Sequence, residues 1–437
     1  MGKKYTIITY GCQMNKYDSE RISGILESQD FEHTDDASQA DLILLNTCSV
    51  REKAEQKVYS QIGRLRALKA KNPNVRIGVC GCVATRVGEE IIRKAPSVDL
   101  VFGTKNISKL PELLGRMEVE GRAITDVEAV PFDWDVDTPI LRQGHLKAFV
   151  SISIGCNNNC SFCVVPATRG REVSKPETAI LEEVRDLVEQ GFKEVTLLGQ
   201  NVNSYGRDFS GDSAFPGLLR RVAQLDGIER VRFTTSHPKD FSPALIEVMA
   251  EEEKVCEHLH LPLQSGSDRV LARMARRYTA SEYVGKISAL RRAIPDVSIT
   301  TDLIVGFPGE TPEDHQATRK VLEEVRYDNF FLFKYSVRPN TPAARMPHQI
   351  PEEVKKERFN HLMDLQLKIS LQKNQEIVGH EQEVLVEGPS AKGAEKLTGR
   401  TRTNKVVNFP GPERLIGHLI PVTITQGRAH SLEGRAA

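Results

Sequence analysis

Up to about Met117 the chain alternates short β-branched runs with stretches whose apolar positions recur at helical spacing. The runs 5–10, 42–46, 75–79 and 100–102 predict strands, and 15–28, 51–70, 86–94 and 107–114 predict helices. Strand and helix in strict alternation imply a doubly wound parallel sheet over residues 1–118. A stretch rich in Pro and Asp, 126–139, interrupts all periodicity and reads as part of a linker over 119–141.

Residues 142–372 repeat strand-then-helix six times, with strands at 149–154, 194–198, 231–235, 258–263, 297–305 and 330–335. Helices such as 176–189, 243–252, 280–293 and 312–325 separate them, and a long charged helix, 352–375, leads out. Six such units suit a partial (β/α)6 barrel, whose chemistry sits at the carboxyl ends of its strands. Beyond it, over 373–437, short strand-like runs at 384–387, 396–399, 405–409 and 422–426 are divided by Gly and Pro, which predicts a small all-β barrel. The expected class is therefore α/β in three domains, and 437 residues suffice to give each its own core.

Charge adds little at the level of the whole chain, because 59 basic and 59 acidic residues cancel. A nucleic-acid surface must then be a local patch. The start runs straight into a β-like segment, with no apolar stretch long enough for a signal peptide or a membrane span, so a soluble cytoplasmic protein without a membrane partner is expected. In a reducing compartment eight cysteines are metal ligands or buried thiols rather than disulfides.

Their positions decide further. Cys156-Asn-Asn-Asn-Cys160-Ser-Phe-Cys163 follows the first barrel strand, and three thiolates within eight residues can hold three irons of a 4Fe-4S cube, leaving the fourth open. A structural zinc would need a fourth protein ligand, and neither Cys nor His lies in the adjacent turn. Cys12, Cys48 and Cys82 are scattered, yet each follows a predicted strand of the amino-terminal sheet, whose carboxyl edge gathers neighbouring loops. They form either a second three-thiol site or part of a core, as buried free cysteines often do. Gly11, Gly81 and Asn46-Thr47 would allow close backbone approach and amide hydrogen bonds there, while Cys80 and Cys256 read as core.

The C-x3-C-x2-C spacing, with Phe162 before its last cysteine, resembles the radical S-adenosylmethionine superfamily. The resemblance implies that this cofactor chelates the open iron and is cleaved by one electron to a 5′-deoxyadenosyl radical, which can take hydrogen from an unactivated C–H bond. The cofactor is then expected across the strand ends, where Gly199, Gln200, Ser236, Gln264 and Ser265, and the run Gly306-Phe-Pro-Gly309-Glu310, are candidate contacts beside Phe162. Each of these turn residues also has an ordinary backbone explanation.

Gly11-Cys12-Gln13-Met14-Asn15, Asn46-Thr47-Cys48-Ser49-Val50-Arg51 and Gly81-Cys82-Val83-Ala84 look like the three cluster-binding motifs of the methylthiotransferases. The likeness extends through Thr168-Arg-Gly-Arg-Glu172, Leu198-Gly-Gln-Asn-Val202, Thr235-Ser-His-Pro238, Leu261-Pro-Leu-Gln-Ser-Gly-Ser267 and Phe333-Lys-Tyr-Ser-Val-Arg-Pro339. It implies two 4Fe-4S clusters, and two uses of S-adenosylmethionine, one to methylate a carried sulfide and one to generate the radical. Gly-Cys-Gln-Met-Asn and the Cys-Asn-Asn-x-Cys loop resemble the branch acting on isopentenyladenosine at position 37 of tRNA. The branches acting on threonylcarbamoyladenosine tRNA or on a ribosomal-protein aspartate are the nearest alternatives, and an RNA-binding protein with structural zinc is a more distant one. Thr85 departs from the family pattern, where Gln is usual.

Near the end, Lys392, Lys396, Arg400, Arg402 and Lys405 fall within fourteen residues whose single acidic side chain is Glu395. Phosphate contacts and a solvated hairpin fit that charge equally. The region resembles the TRAM domain, which implies RNA binding, and the whole resemblance implies tRNA and a reductant protein as partners.

Overall fold

The computed structural model describes residues 2–49, 52–128, 132, 134, 138–391, 393 and 395–436. The chain divides into two compact units, one of Met1–Asn159, Cys163–Glu182 and Leu198–Gln200, the other of Cys160–Phe162, Glu183–Leu197 and Asn201–Ala437. The class is α/β, with an amino-terminal doubly wound parallel sheet, a central partial (β/α)6 barrel and a carboxyl-terminal β barrel.

In the first unit β1 (Lys3–Thr9), β2 (Phe31–His33), β3 (Leu42–Thr47), β4 (Arg76–Gly81), β5 (Leu100–Phe102) and β6 (Ile124–Asp126) form one sheet of order β2-β1-β3-β4-β5-β6. Every pair is parallel. Its strands read as unbroken apolar runs because both faces are covered. Leu42 and Leu44 pack with Ile22, Ile25 and Leu26 of α1 (Gln13–Glu27). Ile43 and Leu45 face the other way, onto Val58, Ile62 and Leu65 of α2 (Glu52–Lys71). The helices after β1 and β3 thus lie on opposite faces, so the loops leaving these adjacent strands diverge and open a crevice, the topological switch point of such a sheet.

The helix expected over 86–94 is two helices, α3 (Cys82–Val87) and α4 (Glu90–Lys94), because Gly88 at φ +58 breaks the ladder. After α5 (Leu110–Glu120), β6 pairs with β5, so the sheet reaches Asp126, inside the stretch read as linker. Three residues are too few to show a period, and only pairing reveals them as a strand. Residues 129–131, 133 and 135–137 of that stretch lie outside the described residues. The first unit also holds β7 (Lys147–Ser151), the antiparallel pair β8 (Ser153–Ile154) and β9 (Val173–Ser174), and α6 (Val165–Arg169). α7 (Glu177–Glu189) follows β9.

In the second unit β10 (Glu194–Leu198) pairs through residues 194–197 with β11 (Arg230–Phe233), both parallel. Val231 of β11 bridges to Val255, just before β12 (His258–His260), which is parallel to β13 (Ser298–Val305), itself parallel to β14 (Asn329–Lys334). Between them run α8 (Arg207–Ser210), α9 (Phe215–Ala223), α10 (Pro243–Glu251), α11 (Asp268–Arg273), α12 (Ala280–Ala293) and α13 (Pro312–Val325). Capping boxes, Thr279 with Glu282 and Thr311 with Asp314, fix the starts of α12 and α13. α14 (Glu352–Glu376) leads to a closed barrel of β15 (Glu381–Pro389), β16 (Lys396–Thr401), β17 (Val406–Pro410), β18 (Leu419–Gly427) and β19 (Leu432–Ala436). β19 goes beyond the four strands read from sequence; pairing with β17 and β18, it closes the cylinder.

Candidate active site

Cys12 follows β1, Cys48 follows β3 and Cys82 opens α3 at the end of β4, so the first two sit at the switch-point crevice and the third beside it. The loops are stitched together by buried amides. Asn15 Nδ2 donates to Asn46 Oδ1 and to the Thr47 carbonyl, both at 3.1 Å, and Asn46 Nδ2 donates to the Asn15 carbonyl at 2.8 Å and to Ser19 Oγ at 2.9 Å. Thr47 Oγ1 donates to the Cys80 carbonyl of the next strand over 2.5 Å.

The two glycines expected to allow close approach do so. Gly11 (φ +144) and Gly81 (φ +88) hold conformations that favour glycine, and a Cβ at Gly11 would come within 2.6 Å of Cys48 Cβ. Cys48 and Cys82 are buried, while Cys12 is exposed as a residue. The Cys12 thiol donates to Asn15 Oδ1 at 3.3 Å. A hydrogen bond from Cys48 pulls the Cys12 thiol down to about 6 against partial desolvation, helped by the charge of Arg169 and by the amides of Asn15 and Met14. Burial pushes Cys82 up, with Arg169 opposing it. Cys80 and Cys256, read as core, are fully enclosed, and burial raises Cys256 to about 11.

Arg169 and its partner escaped sequence reasoning. Arg169 Nη2 donates to Asp18 Oδ2 at 2.6 Å, with both side chains 3% exposed. Arg169 stands inside the run Thr168-Arg-Gly-Arg-Glu172, but nothing in one sequence tells a buried arginine from a surface one.

The second cysteine set is built by a different device. Gly155 (φ +82) turns the chain out of β8, and a Cβ there would meet the Arg171 carbonyl oxygen at 2.1 Å. Gln200 Oε1 accepts from the Gly155 amide, and the Cys156 amide donates to the Gly170 carbonyl at 3.1 Å. Asn158 N–H donates to Cys156 Sγ, and Val165 N–H to Cys163 Sγ, each at 3.4 Å. In the second unit the buried Arg276 donates through Nη1 to Cys160 Sγ at 3.4 Å and through Nη2 to the Pro262 carbonyl at 3.1 Å. Sulfurs that receive hydrogen bonds suit cluster ligation, since such bonds tune the potential. Among the described residues no three His, Cys, Asp or Glu side chains converge to hold a single metal ion. A cube spreads its three thiolates over separate corners, a wider demand than that of one ion.

The candidate cofactor contacts separate into groups. Gly199 is buried just past β10, and Gln200 spends its Oε1 on the loop, leaving a buried Nε2 with no hydrogen-bond partner. In the second unit Ser236 Oγ, Gln264 Oε1 and both polar atoms of the Asn203 side chain are likewise buried and unpartnered. Thr235 (φ +69) and Gln264 (φ +70) are non-glycine residues held in the left-handed region. Ser265 is tied internally, near Thr318 Oγ1 at 3.4 Å and accepting from Ser267 N–H at 3.2 Å. Phe162 lies edge-on to Phe307 at 6.5 Å in an apolar cluster with Val270, Met274 and Tyr335, so it anchors the loop in core. In the run after β13, Glu310 accepts from the Gly306 amide at 3.0 Å and from Arg358 at 2.6 Å, a local brace.

The basic residues of the carboxyl-terminal barrel divide between two settings. Arg402 holds Glu257 with Nε at 2.8 Å and Nη2 at 2.7 Å, and also reaches the Glu253 carbonyl at 2.6 Å. Lys405 Nζ donates to Asp328 and to Asn374 Oδ1, each at 2.8 Å. Both cations are consumed in docking the barrel onto the strand starts of β12 and β14, because this hairpin is a packed face and not a free one. Lys396 pairs with Glu433 at 2.8 Å and Arg400 with Glu387 at 3.5 Å, both about one-third exposed. Lys392 lies outside the described residues.

Known proteins bear on this arrangement in three ways. Residues 4–103 match a model described as uncharacterized protein family UPF0004, 150–322 the radical SAM superfamily, and 375–437 the TRAM domain. Among solved structures, a radical S-adenosylmethionine methyltransferase, TsrM, from Kitasatospora setae superposes with a TM-score of 0.58 at 14% identity, over 90% of this chain and 79% of that one. That likeness speaks to the fold alone. A tRNA-2-methylthio-N(6)-dimethylallyladenosine synthase from Alkaliphilus oremlandii is 51% identical over 99% of this chain and 92% of its own. One from Carboxydothermus hydrogenoformans is 49% identical over 99% of both. With such identity from end to end, the chain belongs to the tRNA-2-methylthio-N(6)-dimethylallyladenosine synthase family.

Proposed function

We propose that the chain places a methylthio group on carbon 2 of N6-isopentenyladenosine in tRNA, with two 4Fe-4S clusters and S-adenosylmethionine as cofactors. The observation that carries this reading is the pair of three-cysteine sets, one in a single loop and one gathered from three loops at the switch point of a sheet. When bound, the clusters and S-adenosylmethionine supply one-electron cleavage to a carbon radical and a carried sulfur.

The chain's own residues hold and orient. Cys156, Cys160 and Cys163 would ligate one cluster, with the amides of Asn158 and Val165 and the guanidinium of Arg276 donating to their sulfurs. Cys12, Cys48 and Cys82 would ligate the other, with Cys12 its exposed member. The unpartnered Ser236, Gln264 and Asn203 in the second unit are groups whose buried polar atoms a polar cofactor would satisfy. No side-chain acid or base is assigned, since the C–H bond broken is too weak an acid for general-base removal. Lys396 and Arg400 can trade weak surface ion pairs for tRNA phosphates at small cost.

An anticodon-loop base is unpaired and can be turned out cheaply. A separate reductant protein supplies electrons. A tRNA substrate places the work in the cytoplasm, and among the described residues no helix is long and apolar enough to cross a membrane. The test is mass spectrometry of tRNA nucleosides from cells with and without this chain. Loss of the methylthio-isopentenyl nucleoside, with its unthiolated precursor accumulating, is expected. An unchanged nucleoside profile would refute the assignment.

A further inference from the structure

Arg169 closes α6, the five-residue helix that starts two residues after Cys163, and its side chain runs to the other cysteine set. Nη2 is held by Asp18 of α1, while Nη1 is buried with no hydrogen-bond partner. The charge lies beside Cys82 and Cys12. Its anchorage comes from several directions. α6 packs on α3, which begins at Cys82, and Thr104 Oγ1 donates to the Thr168 carbonyl at 2.9 Å.

A buried ion pair is poor value as a source of stability, because desolvation consumes most of the attraction. Its place against the thiols of Cys82 and Cys12 suggests electrostatic work. We propose that Arg169 is a positioning residue for the sulfur-transfer centre, a fixed positive charge that raises the reduction potential of the cluster held by Cys12, Cys48 and Cys82. The inference rests on reading those thiols as ligands. Reduction adds negative charge to a cluster, and a cation fixed nearby in a low-dielectric site stabilises the reduced form more than the oxidised one. Asp18 acts in the opposite sense, moderating the cation it holds.

The two charges give the test its sign. In the full chain carrying Cys156→Ala, Cys160→Ala and Cys163→Ala, only the amino-terminal cluster remains, and its potential is read by anaerobic titration followed by electron paramagnetic resonance. Arg169→Gln should lower the reduced fraction at a fixed potential about tenfold, equivalent to about 59 mV for one electron. Asp18→Asn should raise it, and Arg169→Lys should stay within about threefold of the parent. Should Arg169→Gln lose its iron, Asp18→Asn decides, a rise supporting the proposal and a fall or no change overturning it. A residue that merely packs the loops would move both variants the same way or neither, which also overturns it. A parent triple variant that binds no iron sinks the ligand reading itself, and the proposal with it.

Discussion

Arg402 clamps the Glu257 carboxylate with two hydrogen bonds, Nε at 2.8 Å and Nη2 at 2.7 Å, across 145 positions of sequence. Around this clamp Arg232 donates to the carbonyls of Arg402 and Thr401, each at 2.8 Å, and Arg230 to that of Arg400 at 2.9 Å. Backbone carbonyls and carboxylates are thus the common currency of the dock, and the small barrel sits on the larger one through cations from both sides.

Arg402→Ala should therefore cost stability, about 2 kcal/mol from lost hydrogen bonds to a charged group, as read by denaturant unfolding. Its effect on the salt dependence of tRNA binding should be negligible. By contrast Lys396→Ala and Arg400→Ala should each flatten the slope of log affinity against log salt by about 0.7–0.9, the value for one lost phosphate contact. Equal slopes for all three variants would remove Lys396 and Arg400 from the RNA surface.

Two cysteine substitutions should separate the two centres. Cys156→Ala should abolish reductive cleavage of S-adenosylmethionine, whereas Cys12→Ala should retain 5′-deoxyadenosine formation and lose the methylthio product, both quantified by chromatography of one reaction. Methylthio product from the Cys12 variant would contradict its role as a ligand.

Gly155→Ala tests the loop that presents Cys156. At φ +82 and with a carbonyl oxygen 2.1 Å from the new Cβ, the turn must open. Strain of this kind costs about 1–3 kcal/mol. Iron content should fall to about half that of the parent while the amino-terminal cysteines keep theirs; full iron would show that the turn tolerates a side chain.

Acid should weaken the fold through His258. Burial, then the charges of Arg232 and His260, hold its imidazole down to about 3, with Asp328 opposing and Arg400 adding to the effect. The unfolded chain takes up this proton near 6.5 and the folded one does not. Stability is therefore lost as pH falls from about 6.5 towards 3, by about 2 kcal/mol at pH 5 from this residue. His258→Gln should flatten the fall in unfolding free energy between pH 7 and 5, and an unchanged slope would remove His258 as its source.

Much of this was legible from residue order. Apolar runs buried on two faces located β3 and β4, and periodicity set α12 and α13 to the residue. β6 and β19 were invisible because a short strand is defined by what it pairs with. The cysteines showed themselves through spacing and neighbouring glycines. Arg169, Asp18 and Arg276 did not, since burial of a charge is a property of the assembled fold. For the same reason a run of cations near the end looked like one surface, when Arg402 and Lys405 face inward to carboxylates.

The switch point between β1 and β3 has a bearing on assembly. Cys12, Cys48 and Cys82 become neighbours only after a parallel sheet with long crossovers has closed, so this grouping exists only in a chain already folded there. The eight-residue loop makes no such demand, since its three thiols are close in sequence before any sheet forms. One set of thiols is thus brought together by local chain geometry and the other by long-range topology, a difference of contact order.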